Sequence, residues 1–114
     1  MDQNLEKSLE LGNYMVAFNR KFQILKEQHK ADSMYFYKGG EFFVDQSLVS
    51  FVNTLISLNQ TFSVLIDSHQ NPIYVEDLKQ FLDEIVSVYI TSSNKFSTEL
   101  TKLKKNRSVK GLIE

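Results

Sequence analysis

Three observations on this 114-residue chain predict an α+β fold ordered helix–β-hairpin–helix–β-hairpin–helix. Proline-free amphipathic stretches lie at both ends, Gly39-Gly40 sits between two aromatic-rich runs, and a second alternating run is closed by a turn at Pro72. The reading is a single elongated domain over residues 1–114. Long terminal helices over about 2–31 and 76–105 flank a small antiparallel sheet, within a hairpin–helix–hairpin core over about 34–75.

In the first helix Leu11, Met15, Phe18, Phe22, Leu25 and His29 recur at intervals of four, three, four, three and four, a narrow coiled-coil-like stripe. Leu5 and Leu9 fall out of that register. Gly12, about 1 kcal/mol worse than alanine inside a helix, marks the place for a kink. In residues 34–44 (MYFYKGGEFFV) Gly39-Gly40 reads as a two-residue hairpin connection, because both positions tolerate positive φ. Closure there sets Lys38 opposite Glu41, Tyr37 opposite Phe42 and Tyr35 opposite Val44. Phe36 and Phe43 are expected to pack on the next helix, with the tyrosines facing outward as an interface.

Asp45 is an N-cap for a helix over 46–59. Leu48, Val49, Phe51, Val52, Leu55, Ile56 and Leu58 surround most of its circumference, which predicts burial on several sides at the centre of the core. The alternation of 61–67 (TFSVLID) is a strand signature, and 73–75 returns after a turn in which Pro72 holds Asn71 out of the helical region. Whether the two hairpins join into one sheet of up to four strands, covered by 47–59, is left open. Glu76 and Asp77 suit the start of the last helix, whose stripe runs Leu78, Phe81, Leu82, Ile85, Val88, Tyr89, Phe96, Leu100 and Leu103, interrupted by Ser92. Beyond Asn106 the sequence reads as a short tail.

A helix of about 30 residues is roughly 45 Å long, whereas a compact domain of this size is about 35 Å across. The terminal helices therefore overrun the core, and their apolar residues need cover from each other or from a second chain. Met15, Phe18, Phe22, Leu25, Tyr89, Phe96, Leu100 and Leu103 are accordingly the candidate self-association residues, with a homodimer as the first expectation.

Composition narrows function. With 42% hydrophobic residues and a net charge of −1 the chain is an ordinary globular one, which excludes disorder and collagen. The absence of cysteine excludes a disulfide scaffold, thiolate zinc sites and a cysteine nucleophile. No stretch reaches the roughly 18–20 apolar residues of a membrane span, and the acidic opening MDQNLEKSLE does not read as a signal peptide, so a cytoplasmic location is expected. His29 and His69 lack zinc-ligand spacing; His29 lies on the helical stripe as a packing residue and His69 in an exposed turn. Asp67 ends one strand of the second hairpin and Asp77 opens the helix after its partner strand, which makes them a possible acid–base pair, although turn formation and capping account for both. No G-x-S-x-G, Walker-type or G-x-G-x-x-G pattern occurs, so no enzyme and no cofactor is expected.

Lys102, Lys104, Lys105, Arg107 and Lys110 put five positive charges in nine residues. They suit a nucleic-acid accessory protein, with Tyr35 and Tyr37 as base-stacking residues. A helix C-terminus wants the same cations. The favoured reading is a non-catalytic, self-associating interaction or assembly protein that presents helical and aromatic surfaces to other proteins.

Phe43-Val-Asp45, Leu65-Ile-Asp67 with Asn71-Pro-Ile73, Asp77-Leu78 with Phe81, and Leu103-Lys104 with Arg107-Ser-Val109 carry a resemblance. Together they resemble small uncharacterised proteins encoded by large contractile-tailed phages of marine waters. The similarity spans about residues 40–112 and leaves the first helix outside. It implies a viral protein made in a bacterial cytoplasm, serving particle assembly or binding other proteins, and it assigns no functional residue.

Overall fold

The computed structural model describes residues 3–113, with side chains over 4–106. Its elements are α1 (Gln3–Asp32), β1 (Met34–Tyr37), β2 (Gly40–Phe43), α2 (Gln46–Ser57), β3 (Ser63–Ile66), β4 (Pro72–Val75) and α3 (Leu78–Ile113). This is the α+β order that the sequence predicts. The last helix runs further than the stripe implied, to Ile113 rather than about 105, since no proline follows Pro72 to stop it.

The molecule measures 70 × 23 × 18 Å, with a radius of gyration of 20.7 Å; a compact domain of this length has about 13 Å. The hairpins, α2 and the first half of α3 form a head. From the head the rest of α1 and α3 project as an antiparallel two-helix arm. Ser33 meets Ser92 (Oγ–Oγ 3.3 Å), and His29 and Phe22 meet Phe96 with ring centroids 4.7 and 6.5 Å apart.

The first hairpin turns one residue earlier than its glycine pair suggested. Its partners are Tyr37↔Gly40, Phe36↔Glu41, Tyr35↔Phe42 and Met34↔Phe43, so Lys38 and Gly39 form the turn, with φ of 45° and 80°. Both central residues of this mirror-image turn need positive φ, and Lys38 accepts it because Gly40 is needed elsewhere. A Cβ on Gly40 would lie 2.6 Å from Ile73 Cγ1, so this glycine lets the second hairpin press against the first. The predicted pairs are thus displaced by two residues. Tyr35, Tyr37, Phe42 and Val44 still share one face, but it is the inner one: the tyrosines pack on the core and Phe36, 70% exposed, points outward. The expected Lys38–Glu41 pair is replaced by Lys38–Glu76 at 3.3 Å.

α2 begins as predicted, with the Leu48 amide donating to Asp45 Oδ1 at 2.8 Å. It ends when Asn59 takes φ 65° and the amides of Asn59 and Gln60 donate back to the Ile56 and Leu55 carbonyls. Contrary to expectation α2 is not the centre of the core. Only Val52 is fully buried, while Phe51 and Leu58 are more than half exposed. That place belongs to α3, which is long enough to pass both hairpins and α2 in turn. Leu78, Phe81 and Ile85 are each 1% exposed or less, and the Phe81 ring meets Tyr35, Tyr37 and Phe42 edge-on at 5.3–5.7 Å.

The hairpins do not merge. β1 pairs only with β2, and β3 with β4, through Ser63↔Val75 to Ile66↔Pro72. Phe81→Ala would remove the ring against which Tyr35, Tyr37 and Phe42 of the first hairpin pack, at about 3–5 kcal/mol. Urea unfolding should show a correspondingly lower midpoint, while truncation of the exposed Phe36 to alanine should leave it nearly unchanged.

Candidate interaction surfaces

The predicted self-association stripe lies mostly along the seam between α1 and α3 of one chain. Phe18 is 7% exposed, and Met15, Phe22, Leu25, Phe96, Leu100 and Leu103 are half-buried. Tyr89 packs at the edge of the head core, where its hydroxyl accepts from Gln46 Nε2 at 2.8 Å. Just past the end of α1 small residues face each other, Ser33 against Ser92 on α3. Ser33 and Ser92 are buried, with Ser33 Oγ donating to the His29 carbonyl at 2.7 Å and Ser92 Oγ to that of Tyr89 at 3.2 Å. Beside them Lys95 reaches Asp32 at 3.2 Å. A hydrogen bond from Gln28, with Lys95 adding to it, holds the Asp32 carboxyl below its ordinary pKa. His29 stacks on Phe96 as a packing residue, its buried Nδ1 without a hydrogen-bond partner among the described residues.

The turn after β3 is organised by Asp67, which is 4% exposed. Its Oδ1 accepts from the amides of Asn71 at 2.8 Å and His69 at 2.9 Å, and its Oδ2 from the Glu41 amide at 3.1 Å. The Asn71 amide, then those of Glu41 and His69, hold its carboxyl below the ordinary carboxylate range against the opposing effect of burial. Ser68 continues the link: its amide donates to the Glu41 carbonyl at 2.8 Å, and its hydroxyl accepts from the Phe43 amide at 3.1 Å. His69 Nε2 lies 2.6 Å from Glu41 Oε2, and this carboxylate raises the imidazole above its ordinary value. Together with Lys30, Ala31, Met34 and Phe43, the pair lines an open groove of about 440 Å³.

Asp77 is the N-cap of α3, its Oδ1 accepting from the Gln80 amide at 3.1 Å. Both aspartates that sequence reasoning offered as an acid–base pair thus have backbone amides as their partners. Among the described residues no three His, Cys, Asp or Glu side chains converge to hold a metal ion. Lys102, Lys104 and Lys105 are exposed on the arm, Lys102 being 3.5 Å from Glu99. The side chains of Arg107 and Lys110 lie outside the described residues. Tyr35 and Tyr37, named with this cluster as stacking residues, are turned into the head.

One surface was not singled out from the sequence. Phe62, Val64, Ile66 and Tyr74 are each more than half exposed on the outer side of the second hairpin, where Val64 pairs with Tyr74 and the Phe62 and Tyr74 rings lie 6.0 Å apart. The alternation in TFSVLID contains the signal, because Asp67 occurs in the same alternating set as Leu65, and the amides it finds inside draw that set inward. The larger apolar set is left facing out.

No protein-family model, curated protein or solved structure matches this chain. No helix among the described residues is long and apolar enough to cross a membrane.

The ion groups of the turn give stability a two-sided pH dependence. Asp67 has a lowered pKa in the fold, so its contribution is full above the ordinary carboxylate value and fades as pH falls through the lowered one. His69 has a raised pKa, so its contribution is full below 6.5 and fades as pH rises through the raised value. Urea unfolding from about pH 3 to 9 should show both limbs, the alkaline one shallow because the pair is exposed to solvent. Glu41→Gln should flatten the alkaline limb alone, and Asp67→Asn should lower the midpoint throughout and weaken the acid limb.

Proposed function

We propose that this chain is a non-catalytic, self-associating interaction protein. The observation that supports this most is its surplus of surface. The chain exposes 8202 Å², where a compact monomer of 13.3 kDa exposes about 6,450 Å². The difference, roughly 1,750 Å², is about twice what one partner contributes to a standard protein interface. Much of the exposed material is apolar, including Leu5, Leu9, Val16 and Ile24 on α1, Phe51 on α2 and Leu58 at its C-cap, and the outer side of the second hairpin.

The occupation of Asp67 and Asp77 by backbone amides supports the non-catalytic part of the reading. The setting implied by the phage resemblance, particle assembly in a bacterial cytoplasm, belongs to the same proposal. Size-exclusion chromatography with light scattering tests it, at about 50 mM and 500 mM salt, which brackets strong and weak charge screening. The expected mass is at least twice 13.3 kDa in both buffers. A monomer in both, or an assembly that dissociates at high salt, overturns apolar self-association.

A further inference from the structure

The fold separates charges that the whole sequence balances. The head, residues 33–92, holds two lysines against seven carboxylates, a net −5 with histidine neutral. The arm, residues 3–32 and 93–106, holds nine basic against five acidic residues, a net +4. The other ten positions cancel.

α3 carries this contrast along its own length. Asp83 and Glu84 lie past its first turn, and Lys102, Lys104 and Lys105 lie two turns or more before its end at Ile113. The helix dipole acts within the terminal turns, so it accounts for none of them. Among the described residues Asp83, Glu84, Lys104 and Lys105 join no ion pair. At about 100° per residue, Asp83 and Lys105 lie within about 40° of each other on the side of α3 opposite Ile85, Ser92, Phe96 and Leu103. Ser87, Ile90, Asn94 and Thr101 lie between them on that side, and all six are exposed, so no other described element covers it.

That side complements itself when reversed. Asp83 and Lys105 are each eleven residues from Asn94, about 16 Å along the axis. An antiparallel copy centred on Asn94 therefore sets Asp83 against Lys105 and Ser87 against Thr101 at both ends, with Ile90 near the middle. Glu84 and Lys102 share one flank of the same side, so this register also brings them within reach of each other. Parallel copies instead set carboxylates on carboxylates and lysines on lysines, which opposes association. A nucleic acid fits the arm lysines but leaves the acidic head without a partner.

We propose that a second copy of this chain lies antiparallel along the outer side of α3, the acidic head of each copy beside the basic arm of the other. This rests on the self-association proposed above and gives it a direction: the charges select the orientation, and apolar area supplies the affinity.

The test compares the full chain as wild type, Asp83→Lys, Lys105→Glu and the double variant carrying both. Light scattering over a dilution series at about 50 mM salt, where screening is weak, gives the dimer dissociation constant. Circular dichroism checks that helix content is kept. Each single reversal should raise the constant about fivefold or more, because symmetry makes it act at both ends, and the double variant should return it to near the wild-type value. Carbodiimide cross-linking of mixed isotopically light and heavy chains, read by mass spectrometry, should join head carboxylates of one copy to arm lysines of the other. If wild type associates while the single reversals leave its constant unchanged, or the double variant fails to restore it, the antiparallel pairing is overturned and self-association stands. Intermolecular cross-links that join only arm to arm overturn it equally. Binding of a DNA duplex that Lys105→Glu abolishes, with an unchanged dimer, assigns the basic arm to nucleic acid and also overturns the pairing. A wild type that is monomeric at every concentration overturns both readings.

Discussion

Two hairpins with four-residue strands have little ladder to stabilise either one, and here they share none, so the head depends on the Asp67 carboxylate and the turn around it. A buried carboxylate is unfavourable unless its oxygens find donors, and the donors that Asp67 finds come from both hairpins: the Glu41 amide from one, those of His69 and Asn71 from the other. Ser68 adds bonds in both directions to the edge of β2. The two ribbons therefore present one continuous inner side to α3, and Phe81 has a floor of tyrosine and phenylalanine to sit on. Gly40 belongs to the same arrangement, because a side chain there would hold Ile73 and its hairpin away.

The order of elements was legible because each has a local signal: the helical periods, the glycine turn, the Asp45 cap and the Pro72 break. What was not legible depends on which neighbour an element meets. α2 has an apolar residue on nearly every side, and periodicity alone places such a helix at the centre. It lies at the surface because α3 passes through the middle, a fact of three-dimensional topology. The hairpin register failed for a similar reason. Gly39-Gly40 is a turn signal by composition, but one glycine is needed for packing against Ile73, and Lys38 takes the turn conformation in its stead. Displacement by two residues preserved which side chains share a face, and the inward face proved to be that of the tyrosines.

The candidate surfaces divide along the same line. The seam stripe was readable as an apolar stripe, but a stripe does not name the helix that covers it, and in this chain part of that cover is intramolecular. The outer side of the second hairpin was obscured because its residues are the ones a hydrophobicity rule would bury. Asp67 reverses that rule: the amides able to satisfy it lie inside, and Phe62, Val64 and Ile66 alternate with its set. A polar residue thus decides which apolar residues face the solvent.

The antiparallel arm also sets an order of events during folding. Ser33 and Ser92 touch across 59 residues of sequence, and pairs further along the arm span still longer separations. Closing such a loop from an open chain is entropically unfavourable, but the hairpins and α2 shorten it by folding between the two helices. Loop-closure entropy therefore favours a head that forms first, with α1 zipping onto α3 outward from the serine crossing. On the same grounds amide protons near Ser33 and Ser92 are expected to exchange with global unfolding, and those near Phe18 and Phe22 through smaller, local openings.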